Sequence, residues 1–309
     1  MFSLPYCVHI GYPRTGSTWL QKLFGEHPEV CFAYRTQFFG CADNWKRGVK
    51  FYESLFKLNK AHKVILDSDE RYSIGSRLGF TGWSPEKLQK ARYEDSIKYR
   101  LPSDSKFIAH QIYRTNSRAK IIMVLRRQPD WLLSNYRNII TGRGKNITFD
   151  EFLNSEYVYR VKVAFYSKAA KLYFDLFGRE NVLVLFFEEM RENQQEFLNK
   201  ISSFLNISKF NVDKHKLVKS IRPTPTNRAT KLMRKLNYIT QRLPSRRNSL
   251  YYKFIDRAML YLDRGFLKKI KDCQLISPEK EKELFNLYKE DNEKLAKLLN
   301  KDLGKLGYF

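Results

Sequence analysis

The chain has 309 residues, 43% of them hydrophobic, which is enough for one large α/β domain with additions or for two small ones. No apolar run reaches the ~18 residues that a membrane-spanning helix needs. The four cysteines, Cys7, Cys31, Cys41 and Cys273, lack C-x-x-C spacing, so neither a disulfide framework nor a zinc cluster is suggested. The formal charge of +25 is uneven: residues 222–271 hold 14 Lys/Arg against only Asp256 and Asp263. Such a balance draws in anionic partners, or else belongs to a solvated set of basic helices.

In chain order, the first element is a short apolar run, Val8-His9-Ile10, that ends in Gly11-Tyr12-Pro13-Arg14-Thr15-Gly16-Ser17-Thr18. The amphipathic segment Trp19-Leu20-Gln21-Lys22-Leu23-Phe24 follows. Strand, glycine-bounded loop and helix in that order make a phosphate cradle, with N–H groups of the helix start aimed at the anion. The spacing is nearly G-x4-G-K-[ST], but Ser17 stands where the lysine belongs and the cation has moved to Arg14. This argues against ordinary ATP or GTP hydrolysis and suits an anion with less terminal charge and no Mg2+. Taken alone, the loop also reads as a Gly/Ser-rich turn without a ligand.

Further strands are predicted at 63–67, 120–125 and 182–187, beside the first at 7–11. Helices are predicted near 17–25, 44–58, 85–99, 105–116, 129–141 and 157–177. After Phe187 the pattern is all helix, near 193–205, 228–242, 249–262 and 277–300. The strands are short and continuous in Ile, Val and Leu, as in strands buried on both faces. Alternation with helices predicts a P-loop-like α/β fold, a parallel sheet with helices on both faces. Pro223 and Pro225 mark a break. The expected organisation is an α/β domain over 1–208 and a basic helical C-terminal extension over 209–309 packed on the same domain. Residues 36–60 and the basic loop 142–148 are candidate lids or substrate walls.

The strand at 120–125 ends at Arg126, at the edge where ligands sit in open parallel sheets. Ser134 lies eight residues on, in a helix with Pro129 near its start. A guanidinium fork and a hydroxyl are the parts of a second phosphate site, or of a helix start beside a surface arginine.

Together the two segments resemble the nucleotide signatures of sulfotransferases that use 3′-phosphoadenosine-5′-phosphosulfate (PAPS). Tyr12 to Leu20 resembles the family's 5′-phosphosulfate loop, with Arg14 at the position where lysine is usual. Arg126 and Ser134 match the 3′-phosphate pair in type and spacing. The resemblance extends through Gly178–Glu189 and from Asp291–Leu295 to Gly307-Tyr308, and is weak over 36–60 and 209–276. It implies that Thr15, Gly16, Ser17 and Thr18 hold the 5′-phosphate and that Arg14 stabilises charge on the bridging and leaving oxygens. An arginine does not give up its proton, so an acid role for the family's lysine is not carried over. Trp19 matches a position that stacks on adenine in relatives; a core aromatic at a helix start is the equal alternative.

The base that would deprotonate the acceptor departs from the better-known relatives. There is no Lys-Thr-His after a strand. The glutamate that glycan-modifying relatives place before a Phe-Phe pair is replaced by Tyr34-Arg35-Thr36-Gln37 ahead of Phe38-Phe39. Ser68-Asp69-Glu70 resembles a triplet found after a strand in many bacterial members. Glu70 is the first candidate, with a pKa raised by shielding from water. Asp69 is the second, and His110 and His27 follow; a helix cap is the structural use of Ser68 or Asp69.

The resulting expectation is sulfuryl transfer from PAPS to a hydroxyl of a carbohydrate or polysaccharide, leaving 3′,5′-adenosine bisphosphate and needing no metal. The alternatives are a P-loop kinase of small molecules or glycans and a basic binding module for acidic polymers. The expected partners are a glycan or other anionic acceptor and the anionic face of a membrane. Nucleic acid is not expected, since no reading module is present. The segment Met1–Tyr6 leaves no room for a signal peptide, and a reducing cytoplasm is the expected location.

Overall fold

A computed structural model describes residues 3–40, 42–73, 103–154, 158–210, 226–240 and 274–309. Five strands form one all-parallel sheet: β1 (Tyr6–His9), β2 (Val30–Tyr34), β3 (Val64–Ser68), β4 (Lys120–Leu125) and β5 (Val182–Phe186), in the order β2-β3-β1-β4-β5. Twelve α-helices are present among the described residues. They are α1 (Ser17–Glu26), α2 (Ala42–Lys46), α3 (Gly48–Ser54), α4 (Ser103–Thr115), α5 (Gln128–Arg143), α6 (Phe149–Asn154), α7 (Val158–Val163), α8 (Tyr166–Phe177), α9 (Phe187–Glu192), α10 (Gln194–Leu205), α11 (Asn227–Thr240) and α12 (Pro278–Leu299). The α/β class with a helical C-terminal segment is therefore as expected.

Alternation along the strands divides the core in two. Cys7, Val64, Leu66, Ile122, Val124 and Leu185 face α1, α9 and α10, where Leu20, Phe24, Met190, Phe197, Leu198 and Ile201 complete one buried cluster. Val8, Ile65, Ile121 and Met123 point the other way and are equally buried. On that side α8 packs against β4, β5 and α4. Each such aliphatic side chain contributes about 1.5–3 kcal/mol by leaving water.

The run Val30-Cys31-Phe32-Ala33-Tyr34 is a strand that the pattern reading left out. It forms the sheet edge beside β3, pairing Val30 with Val64 and Tyr34 with Ser68. The expected helix at 44–58 is broken into α2 and α3 at Arg47, and that at 157–177 into α7 and α8 at Ala164-Phe165. The helices expected at 85–99 and 249–262 lie outside the described residues.

The chain divides into two compact units. One comprises Met1–Gln128, Tyr159–Ile221 and Tyr288–Phe309, and the other Pro129–Val158 and Arg222–Leu287. The first holds the sheet. Of the expected 209–309 extension, the last 22 residues belong to that sheet unit. In the second unit, Asn237 Nδ2 donates to the carbonyls of Ile140 and Lys145, both at 2.9 Å, tying α11 to the end of α5 and the basic loop after it.

Candidate active site

In the central strand order, β1 lies between β3 and β4, so the connection from β3 to β4 crosses it and opens a crevice at the carboxyl edge. The loop Ile10–Gly16 starts there. Ile10 N–H donates to Ile122 O (3.0 Å) and Tyr12 N–H to Val124 O (3.4 Å), so its first half runs alongside β4. The Thr15 hydroxyl donates back to Tyr12 O (2.5 Å), closing the loop on itself. Gly16 caps α1 at φ +85°, and its carbonyl accepts from Trp19 and Leu20. The first N–H groups of a helix have no partner within it. Those of Ser17 and Thr18 have no acceptor among the described residues and remain available for an anion.

A side chain at either glycine would force a neighbour to move. A Cβ on Gly11 would come within 2.4 Å of His9 Nε2, and one on Gly16 within 2.7 Å of Met190 Cε. Arg14 itself adopts φ +71°, in the left-handed region that costs a side chain about 1 kcal/mol.

Arg126 follows β4 and turns toward this loop: its Nη1 donates to the carbonyl of Arg14 at 3.0 Å. The guanidinium lies 4.5 Å over the ring of Phe187, the residue after β5, and the Arg126 carbonyl accepts from the Tyr166 hydroxyl (2.9 Å). The segments 178–189 and 291–308 converge behind it. Glu188 accepts from Arg127 N–H (3.0 Å) and from the Tyr308 hydroxyl (3.4 Å). Asn292 bonds both Gln128 and the Tyr308 carbonyl. These residues position the end of β4. Ser134 is buried on α5, about two turns from the helix start, in the second unit.

Trp19 is 3% exposed and belongs to the core cluster with Leu20 and Phe24, which is the packing use of that aromatic. The Thr15 side chain is likewise spent inside the loop.

The carboxyl ends of β1, β2 and β3 are in register at His9, Ser68 and Tyr34. There a polar network assembles that residue spacing did not reveal. His9 Nδ1 and Ser68 Oγ are hydrogen-bonded at 2.7 Å. Gln21 Nε2 donates to Ser68 Oγ (3.0 Å) and to Glu70 Oε2 (2.9 Å). Arg35, just past β2, forms a close ion pair with the other Glu70 oxygen. Burial pushes the Glu70 carboxyl up, but the Arg35 charge and the hydrogen bonds from Gln21 and Arg35 outweigh it and hold the pKa below the ordinary value. The expected raised pKa is thus corrected: shielding is the largest single influence, yet the cation and the hydrogen bonds together outweigh it. Burial lowers the His9 pKa to about 4 against the opposing charge of Glu70, so the ring is neutral at pH 7.

Asp69 is buried at the start of the same turn, its N–H donating to His9 O and its carbonyl accepting from Tyr72 N–H. His27 caps the far end of α1, bonded to the Ser208 carbonyl and packed on Phe210, at the edge where strands begin; this removes it as a base. His110 is half-buried on α4. Within the segment 36–60, Phe38 and Tyr52 belong to a packed aromatic wall: Phe38 stacks on Tyr52 at 4.3 Å, and Tyr52 donates to Asp67 (2.7 Å).

A strand–loop–helix cradle on a parallel sheet, with an arginine from the next strand bonded to the loop, defines a P-loop-like nucleotide- or anion-binding protein. A family model described as the sulfotransferase domain matches residues 7–257, and the chain belongs to that family. It is accordingly an enzyme of sulfuryl transfer, in a family whose donor is PAPS. The chain is similar to a sulfotransferase from Alicyclobacillus acidocaldarius, at 16% identity and TM-score 0.61, covering 99% of each chain. It is more distantly similar to mouse sulfotransferase SULT7A1 complexed with PAP, at 14% identity and TM-score 0.44, covering 93% of this chain and 84% of that one. No curated protein matches the sequence. At these identities the likeness to solved structures is one of fold.

Proposed function

We propose that this enzyme moves a sulfuryl group from PAPS to a hydroxyl of an anionic carbohydrate. The observation that carries the reading is the bond from Arg126 to the Arg14 carbonyl, which couples a fixed guanidinium to the cradle. The N–H groups of Ser17 and Thr18 and their hydroxyls suit the 5′-phosphate. Arg126, with Ser134 by resemblance, suits the 3′-phosphate. PAPS supplies the sulfuryl group and a phosphate leaving group. Transfer through a loose transition state, by analogy with phosphoryl transfer, leaves positioning and charge stabilisation to the protein. Arg14, half-buried and permanently charged, is suited to the charge that grows on the bridging and leaving oxygens. Glu70 receives the hydroxyl proton. The overall charge of +25 supports an anionic acceptor. It also supports loose contact with an anionic membrane, although no described helix is long and apolar enough to cross one. Cys7 and Cys31 are buried free thiols, in keeping with a reducing, cytoplasmic setting.

Calorimetry tests the donor site. 3′,5′-Adenosine bisphosphate should bind at least about tenfold tighter than 5′-AMP, the yield of one or two charge-assisted bonds. Arg126→Ala should remove most of that difference, with 5′-AMP binding weakly to either form. Equal affinity of the native protein for both nucleotides overturns the assignment of Arg126 and Ser134. Glu70→Gln should keep nucleotide binding and lose turnover.

A further inference from the structure

We infer that Arg35 is the receptor for an anionic group of the acceptor, and that its ion pair with Glu70 is a latch which this group opens. The inference rests on the sulfuryl-transfer reading and on Glu70 as the base.

Placement comes first. Arg35 directly follows β2 and Glu70 lies two residues past β3, so both stand on the sheet edge that carries the cradle. Arg35 N–H donates to Ser68 O (3.1 Å), which fixes its backbone against the strand bearing Glu70. Exposure is graded: the Arg35 side chain is 39% accessible and Glu70 only 9%. The guanidinium side chain is therefore reachable from solvent, while the carboxylate paired with it is largely shielded.

Backbone strain marks the same place. Five non-glycine residues among the described ones have positive φ. Asn206 follows α10 and Asn300 follows α12, as helix ends favour. The other three, Arg14 (+71°), Arg35 (+49°) and Gln37 (+55°), all follow strand ends at this edge. Strain of this kind persists where surrounding structure fixes it, and it clusters at working sites.

The network is also incomplete. Arg35 Nε, Gln21 Oε1 and His9 Nε2 are buried and have no hydrogen-bond partner among the described residues. A buried polar atom left unpaired costs about 1–3 kcal/mol. Three such atoms, on residues bonded to Glu70 or Ser68, mark a network whose polar groups are not all satisfied from within the described residues.

The electrostatics give the consequence. Glu70 is faced by Arg35 from the end of β2, by the uncharged Gln21 from α1 and by neutral His9 from β1. Arg35 is the one opposite charge among them. A carboxylate or sulfate on the acceptor competes for the guanidinium as a bidentate partner. Once Arg35 is drawn away, burial dominates and the Glu70 carboxylate becomes a stronger base. The acceptor proton then passes to Glu70 as its oxygen bonds sulfur. The bond from sulfur to the bridging oxygen breaks, and its electron pair goes to the 5′-phosphate. A neutral acceptor leaves the latch closed, so discrimination arises in the chemical step rather than in binding alone.

The test uses the full chain bound to 3′,5′-adenosine bisphosphate and carbon NMR of the Glu70 carboxyl, assigned with Glu70→Gln. The probes are a glucuronate-containing oligosaccharide and the same oligosaccharide with its carboxylates reduced to alcohols. The uronate form should raise the Glu70 titration midpoint and the reduced form should not. In Arg35→Gln and Arg35→Ala the midpoint should already be high, and neither sugar should move it. Nucleotide affinity should be unchanged in both variants. With PAPS, the kcat/KM preference for the uronate over the reduced sugar should fall about tenfold or more in Arg35→Gln, the worth of one charge-assisted pair. A Glu70 midpoint that stays put in both variants, or equal turnover of the two sugars by native protein, overturns the latch. Failure of the native protein to bind the bisphosphate overturns the donor reading instead.

Discussion

Asp67 shows how far a single buried charge reaches at this edge. It pairs with Val8 on β1 and Ala33 on β2, and it is fully buried. One carboxyl oxygen accepts from the hydroxyls of Tyr52, Thr36 and Tyr72 (2.7, 2.8 and 3.2 Å), while the other has no partner. Burial raises its pKa from 3.8 to about 7, against those hydrogen bonds. The folded protein therefore holds a proton that the unfolded chain has lost between about pH 4 and pH 7. Stability contributed by this group is full below pH 4 and falls as pH rises to 7, by about 4 kcal/mol. Asp67→Asn should flatten that slope in urea unfolding curves measured from pH 4 to 7; an unchanged slope assigns it to another group. The neighbouring Glu70 behaves oppositely because a cation reaches it, though it lies only three residues away. Adjacent carboxylates in Asp67-Ser68-Asp69-Glu70 are distinguishable by spacing alone only as strand or turn. Which one meets Arg35 and which one meets tyrosines depends on where β2 lies.

At the scale of elements, the cradle and the end of β4 were legible because each is written in consecutive residues: glycines at 11 and 16, a buried-type strand before each turn, and Arg126 at a strand's end. β2 was missed because five apolar residues after His27-Pro28 carry no alternation, and a run that short fits strand or helix equally. Without β2, Arg35 reads only as part of the Tyr34–Gln37 segment that replaces the glutamate of glycan-modifying relatives, and not as a strand-end residue. The C-terminal segment works through one side chain. Asn292 on α12 bonds Gln128 at the start of α5 and the Tyr308 carbonyl, all within the sheet unit. Asn292→Ala leaves buried polar atoms on both partners unpaired, at about 1–3 kcal/mol each. Thermal unfolding should drop by several degrees, and affinity for 3′,5′-adenosine bisphosphate should weaken with it, since Gln128 adjoins the turn that carries Arg126. A variant that melts as the native protein does, with unaltered affinity, reduces these bonds to incidental contacts.

Over the whole molecule, charge is the property that composition gives most directly. A surface at +25 attracts anions over about 10 Å at 0.1 M salt and less as salt rises. Raising ionic strength from 0.05 to about 0.5 M should therefore raise KM for an anionic acceptor several-fold and leave kcat nearly constant. A KM independent of salt counts against steering by the basic stretch 222–271. From its own order the sequence determined the parallel α/β class, the glycine-bounded cradle, the arginine after the fourth strand and the cationic character, because each depends on local runs of residues and their backbone preferences. Only the tertiary structure decided that Trp19 and the Thr15 hydroxyl are spent inside the protein, that residues 288–309 belong with the sheet, and that Arg35 holds Glu70. Those outcomes are set by which strand ends lie side by side, and strand order is fixed by long-range packing that no short stretch of chain records.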